Sequence, residues 1–116
     1  ARNLPEFAGR EIVQELDVIG DVLMPTGTVR RAFGRIDFLA IGDDEALVVD
    51  FKTDRAVPLA ASGVPPGYRQ QLAIYRALVG AVLSCPVRTA LVYTADPRLL
   101  MMDEALPGIV LAHPPA

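Results

Sequence analysis

The chain has 116 residues, 52% of them apolar and 22% charged, with a mean hydropathy of +0.34. That excludes a disordered or low-complexity segment, which lacks the apolar surface to offset chain entropy, and the length suits one domain. Eleven basic against fourteen acidic residues leave a net charge of −3, so bulk charge holds no nucleic acid and any such contact needs a local basic face.

Cys85 stands alone, which excludes an internal disulfide, a zinc knuckle and an iron–sulfur cluster, and it reads as a small apolar residue. The longest apolar run, Ala77 to Val87, is broken by Gly80, Ser84 and Pro86. It is shorter than the ~20 residues of a membrane helix, and no basic start plus apolar core reads as a signal peptide. The expectation is therefore a cytoplasmic protein with no membrane partner. High hydropathy in so short a chain, together with a first residue other than Met, leads us to expect a piece of something longer.

In chain order, Glu11–Leu23 reads as a strand, rich in Ile, Val and Leu, and Pro25-Thr26-Gly27 as a turn. Ala32–Ile41 and Ala46–Phe51 are two further strands, separated by the turn Gly42-Asp43-Asp44-Glu45. The stretch from Ala56 to Gly67 carries three prolines and two glycines and reads as a loop. From Tyr68 to Leu83 the period becomes helical, with Leu72, Tyr75, Val79, Val82 and Leu83 on one apolar stripe. Val87–Tyr93 is a strand, and Asp96–Ala105 reads as a short helix with Pro97 in its first turn. Gly108–Ala112 suits an edge strand, and Pro114-Pro115 closes the chain. The order β-β-β-α-β predicts an α/β unit with a mixed sheet.

The chemistry-bearing stretch is Gly34 to Thr53. With the turn centred between Asp43 and Asp44, Asp37 and Asp50 face each other across an antiparallel hairpin. Lys52, two residues on from Asp50, points to the same face. This register sets Ile36, Phe38, Val49 and Phe51 on the opposite face and Leu39, Ile41 and Val48 around the charged trio. Facing carboxylates repel unless a cation lies between them, and Mg²⁺ binds through one or two carboxylates plus water and phosphate. Lys52 would then stabilise charge on a phosphate or position the attacking water. The plainer alternative is an Asp50–Lys52 ion pair at a strand end, with Asp37 capping a turn. Asp43, Asp44 and Glu45 are ordinary turn formers.

Gly34-Arg35-Ile36-Asp37, then Val48-Val49-Asp50-Phe51-Lys52-Thr53, then Gln71-Leu72-Ala73-Ile74-Tyr75 resemble the RecB-type branch of the PD-(D/E)xK nuclease superfamily. The likeness runs from Glu11 to Thr94 and is greatest to the C-terminal nuclease domain of AddA-type helicase–nucleases of bacterial double-strand-break repair. It implies a restriction-endonuclease-like mixed β-sheet core that lacks the family's first helix. It also implies a Mg²⁺-dependent exonuclease acting on DNA in recombinational repair, with Mn²⁺ able to substitute. Asp37, Asp50 and the main-chain carbonyl of Phe51 would hold the metal, with Glu15 as a further candidate and Asp17 as its rival. Lys52 would be the catalytic lysine, and Gln71 and Tyr75 would match the family's Q-x3-Y motif, supporting the site and touching DNA.

A glutamine on an apolar helical stripe also needs a hydrogen-bonding reason to be there. Arg30, Arg31, Arg35, Arg55, Arg69 and Arg76 surround these motifs in sequence, with Arg35, Arg55 and Arg69 the candidate DNA contacts. The family's upstream helix and its histidine are absent, and His113 lies at the wrong end. Phe38 stands where many relatives carry arginine. No Gly-rich phosphate loop is present, so ATP would be bound only in a missing helicase part, and an AddB-like second subunit is the implied partner. The segment alone is expected to be weakly active and to self-associate. The rival readings are a non-catalytic DNA-binding remnant of the same fold and a restriction or CRISPR-adaptation nuclease.

Overall fold

Six strands and one α-helix make a mixed α/β structure, seen in a computed structural model that describes residues 4–113. The strands are β1 (Glu11–Leu23), β2 (Val29–Ile41), β3 (Ala46–Lys52), β4 (Val87–Tyr93), β5 (Asp96–Met101) and β6 (Val110–Leu111). Helix α1 (Pro66–Gly80) joins β3 to β4. The sheet order is β5-β4-β3-β2-β1-β6, and β3–β4 is the one parallel pair among the described residues. A parallel pair needs a crossover, and α1 supplies it. No helix among the described residues is long and apolar enough to cross a membrane.

The β2–β3 register matches the sequence expectation, pairing Phe38 with Val49 and Ile41 with Ala46. β1 and β4 have their expected bounds, while β2 begins three residues earlier than expected, at Val29. α1 starts at Pro66, inside the expected loop, and ends at Gly80. A proline fits the first helical turn, where its missing N–H costs nothing. Gly80 stops the helix before Val82, which is left exposed, whereas Leu83 still packs on the core.

Two further expectations, on β5 and on Ile36, fail. Asp96–Ala105 is not a helix: Asp96–Met101 is strand β5 and Asp103–Ala105 a single 3₁₀ turn. β5 is a sheet edge, where proline is tolerated, and it returns from β4 through the two-residue turn Thr94-Ala95. Ile36 does not share a face with Phe38. It packs with Leu39, Val48, Leu72 and Tyr75 beneath α1, while Phe38 joins Ala40, Leu47 and Val49 on the far side.

The cause is an irregularity in the β1–β2 ladder. Glu15 adopts φ +53° in mid-strand, a conformation that costs a non-glycine residue about 1 kcal/mol or more, and the pairing skips there between Gln14–Phe38 and Leu16–Ile36. Val13 and Leu16 both face the helix-side core, as do Ile36 and Leu39. The inward pattern therefore shifts by one position on both strands, and Asp37 sits at the shift.

The far face of the sheet is covered in part. Phe7, from a 3₁₀ turn at Pro5–Phe7, stacks on Phe38 at 5.8 Å, and Leu99 and Met101 of β5 cover the other end. Large exposed apolar side chains on the sheet gather instead on β1, β2 and β6, at Ile19, Leu23, Val29, Phe33 and Val110. Pro114-Pro115 lies outside the described residues.

Candidate functional site

The β2–β3 ladder ends at Phe38–Val49, so Asp37 and Asp50 are not a closed pair in the sheet. Asp37 instead turns its carboxylate across the opening, where Oδ2 accepts a hydrogen bond from the Phe51 backbone N–H at 2.8 Å. A side chain thus replaces the next ladder bond, and the aspartate is held in place by the backbone that carries its partner. The Phe51 ring points away from the site and meets Phe38 edge-on at 5.1 Å.

Asp50 and Lys52 lie on the α1 side of β3. Lys52 Nζ is 2.7 Å from Asp50 Oδ2 and donates to Gln71 Oε1 at 3.1 Å. Gln71 Nε2 donates to the Tyr75 hydroxyl at 3.2 Å, and that hydroxyl donates to the Arg35 carbonyl, also at 3.2 Å. A continuous chain therefore runs from Asp50 through Lys52, Gln71 and Tyr75 to the backbone of β2. Gln71 and Tyr75 are four apart on one face of α1, which is how both reach the sheet.

Asp50 is only 5% exposed. Burial first, and then the hydrogen bond shared with the Asp37 carboxyl, push its pKa up to about 6 against the pull of Lys52. Oδ2 has the ammonium beside it but no aligned hydrogen bond, so this buried oxygen keeps unused acceptor capacity. Burial and the negative charge of Asp50 likewise raise the Tyr75 phenol, which stays protonated as a donor.

Two residues that the motif did not include complete the surroundings. The ammonium of Lys52 sits 4.0 Å from the centroid of the Tyr68 ring, a cation–π contact. The Tyr68 hydroxyl donates to Asp54, with both carboxylate oxygens at 3.1 Å. The spacing Tyr68, Gln71, Tyr75 on one helical face, and Lys52, Asp54 on one strand direction, is the signal that could have found them.

Gly34 explains the first residue of the motif. A Cβ there would lie 2.8 Å from both the Cε1 and the hydroxyl of Tyr75. The Tyr75 ring rests on the bare backbone of β2, and that is how its hydroxyl reaches Arg35. We expect Gly34→Ala to destabilise the fold by about 1–3 kcal/mol, read from urea unfolding. Unchanged stability would mean that the ring is free to move aside.

The remaining candidates stand apart from this chain of contacts. Glu15 is exposed, and among the described residues no three acidic, His or Cys side chains gather into a metal-sized group. Asp17 is engaged with Arg35 at 2.9 Å, which lowers the pKa of Asp17. Arg31 pairs with Asp21 at 2.6 Å and Arg76 approaches Asp103 at 3.9 Å. Arg69 has a buried Nε without a partner and lines a cleft of about 780 Å³ with Ser62, Gln70 and Glu104. Among the described residues Arg55 and Arg30 form no ion pair. His113 lies 3.9 Å from Asp21, on the outer hairpin, and Cys85 is half-buried against the helix-side core.

No protein-family model matches the chain, and no curated protein matches it. One solved structure that is similar to it is the crystal structure of SSO0001. The two share 20% identity at a TM-score of 0.49, over 78% of this chain and 41% of that one. The chain thus spans less than half the length of that structure, and a similarity of this size says nothing about its chemistry.

Proposed function

We propose that the chain is a metal-dependent deoxyribonuclease domain of the RecB-type PD-(D/E)xK kind, hydrolysing phosphodiester bonds at Asp37, Asp50 and Lys52. One observation carries the reading: two carboxylates and an ammonium meet where β2 and β3 part, on a largely buried patch wired to α1 through Gln71 and Tyr75. Two abutting carboxylates in an apolar setting are costly to hold unless a function needs them. A mixed sheet whose second hairpin carries these groups, followed by a crossover helix, also suits a restriction-endonuclease-like core.

The donor set fits a hard divalent cation. Asp37 and Asp50 offer hard oxygen ligands, Asp50 Oδ2 has unused acceptor capacity, and the resemblance adds the Phe51 carbonyl. A bound Mg²⁺ or Mn²⁺ would supply Lewis-acid stabilisation of the phosphoryl oxygens and acidify water. Lys52, oriented by Asp50, Gln71 and the Tyr68 ring, would donate to the phosphate as its charge grows. Asp37 keeps its position through the Phe51 N–H. On this reading DNA is the substrate, while an ATP site and an AddB-like subunit belong to the rest of a helicase–nuclease.

The test is incubation of the purified chain with end-labelled DNA and Mg²⁺ or Mn²⁺. Short products that appear with either metal and vanish with EDTA support the reading. DNA binding without cleavage under both metals would overturn it in favour of a non-catalytic remnant.

A further inference from the structure

The β2–β3 divergence has a second consequence. β3 pairs with β2 only over 38–41, so the segment 29–36 of β2 has β1 on one side and no strand among the described residues on the other. α1 leans across this open edge, tied to it by the Tyr75–Arg35 hydrogen bond. Between them lies a cleft of about 220 Å³, whose lining includes Arg30, Phe33, Gln70, Gln71 and Tyr75. Gln71 and Tyr75 belong to the chain of contacts that ends on Lys52, so the cleft shares a wall with the candidate site.

Phe33, at the border of this cleft, is 79% exposed. Arg31 and Arg35 are neutralised by Asp21 and Asp17, whereas Arg30 has no ion pair among the described residues. In a chain of net charge −3, an arginine without an ion pair and an exposed phenylalanine thus both border one small cleft. A ring that stacks and a cation that binds phosphate are together what a nucleotide requires. A paired base inside a duplex already has both faces stacked and cannot use the ring.

We propose that Arg30 and Phe33 form a subsite for one unpaired nucleotide next to Asp37, Asp50 and Lys52, Phe33 stacking the base and Arg30 holding a phosphate. This rests on the nuclease reading for its ligand class, but its test reads binding rather than cleavage. Fluorescence anisotropy of a fluorescein-labelled oligo-dT, at low salt in EDTA, measures affinity with no metal to support hydrolysis. Loss of a stacked base weakens binding by about 5-fold or more, so Phe33→Ala should do so while Phe33→Tyr retains wild-type affinity. Arg30→Gln should weaken binding and flatten its salt dependence by about one phosphate contact. Leu59→Ala, which removes an exposed apolar side chain outside the cleft, should change nothing. An unlabelled duplex should compete poorly.

Wild-type affinity in both Phe33→Ala and Arg30→Gln would overturn the subsite, as would no binding of oligo-dT at all or equal competition by duplex. A dimer in sedimentation that Phe33→Ala dissolves, with oligonucleotide affinity unchanged, would also overturn it and assign Phe33 and Ile19 to a contact between copies. If affinity depends on Phe33 and Arg30 but Mg²⁺ brings no cleavage, the subsite stands and the nuclease reading falls. Cleavage that needs Asp50 but not Phe33 would show the reverse.

Discussion

Replacing Lys52 by alanine should lower Mg²⁺-dependent DNA cleavage by about 100- to 1,000-fold, the usual cost of losing one donor to developing charge. Asp50→Ala should abolish it, because one of two carboxylate ligands is gone. The two variants are distinguished by their stability without metal. Asp50→Ala relieves the repulsion with Asp37 and removes a buried carboxyl, so the metal-free chain should become more stable. Lys52→Ala leaves the two carboxylates without their cation and should cost roughly 1–3 kcal/mol at neutral pH. Circular dichroism and urea unfolding of both variants, alongside the cleavage assay, check the pair of signs. Unchanged cleavage by either folded variant would contradict the assignment, and a loss of stability in Asp50→Ala would make the Asp50–Lys52 ion pair a structural one.

The second large effect is on pH. Asp50 titrates near 3.8 in an unfolded chain and at about 6 in the fold, so the folded state binds the proton more tightly. Its contribution to stability is complete below pH 4, falls as the pH rises through about 6, and is constant above that. A shift of about two units corresponds to roughly 3 kcal/mol of stability lost across this window without metal. Asp17, whose pKa Arg35 lowers, acts in the opposite sense, but it is an exposed pair and its effect is small. Unfolding midpoints in EDTA between pH 4 and 8 should therefore fall less steeply for Asp50→Asn than for the wild type. Parallel curves would show that Asp50 carries its charge without penalty.

Much of this site is legible in the sequence because strands and helices have fixed periods. The acidic turn between β2 and β3 sets their register up to Phe38–Val49, which leaves Asp37 and Asp50 at the open end of the pair, and the two-residue alternation of β3 puts Lys52 on the face of Asp50. The four-residue spacing of Gln71 and Tyr75 sets both on one side of α1. Other features depend on contacts that no local pattern encodes. The left-handed backbone at Glu15 breaks the alternation and moves Ile36 to the helix side, and glutamate is not a residue that announces such a turn. Leu99, Leu100 and Met101 form a short apolar run that fits a helix or a buried strand equally. Pro97 then suggests a helix start, and Thr94-Ala95 lacks the glycine or asparagine of most tight hairpin turns. Tyr68 and Asp54 meet across 14 residues of chain, through a loop whose path the sequence does not dictate.

Whether Asp37 and Asp50 together hold a divalent cation is read from a Mn²⁺ titration of the wild type and of Asp37→Asn and Asp50→Asn at about pH 7.5, followed by electron paramagnetic resonance. The wild type should bind saturably, each variant about tenfold or more weakly, and the wild-type site should lose affinity as the pH falls below about 6 and Asp50 takes up its proton. Equal affinity in all three proteins, or no saturable binding by the wild type, would contradict it.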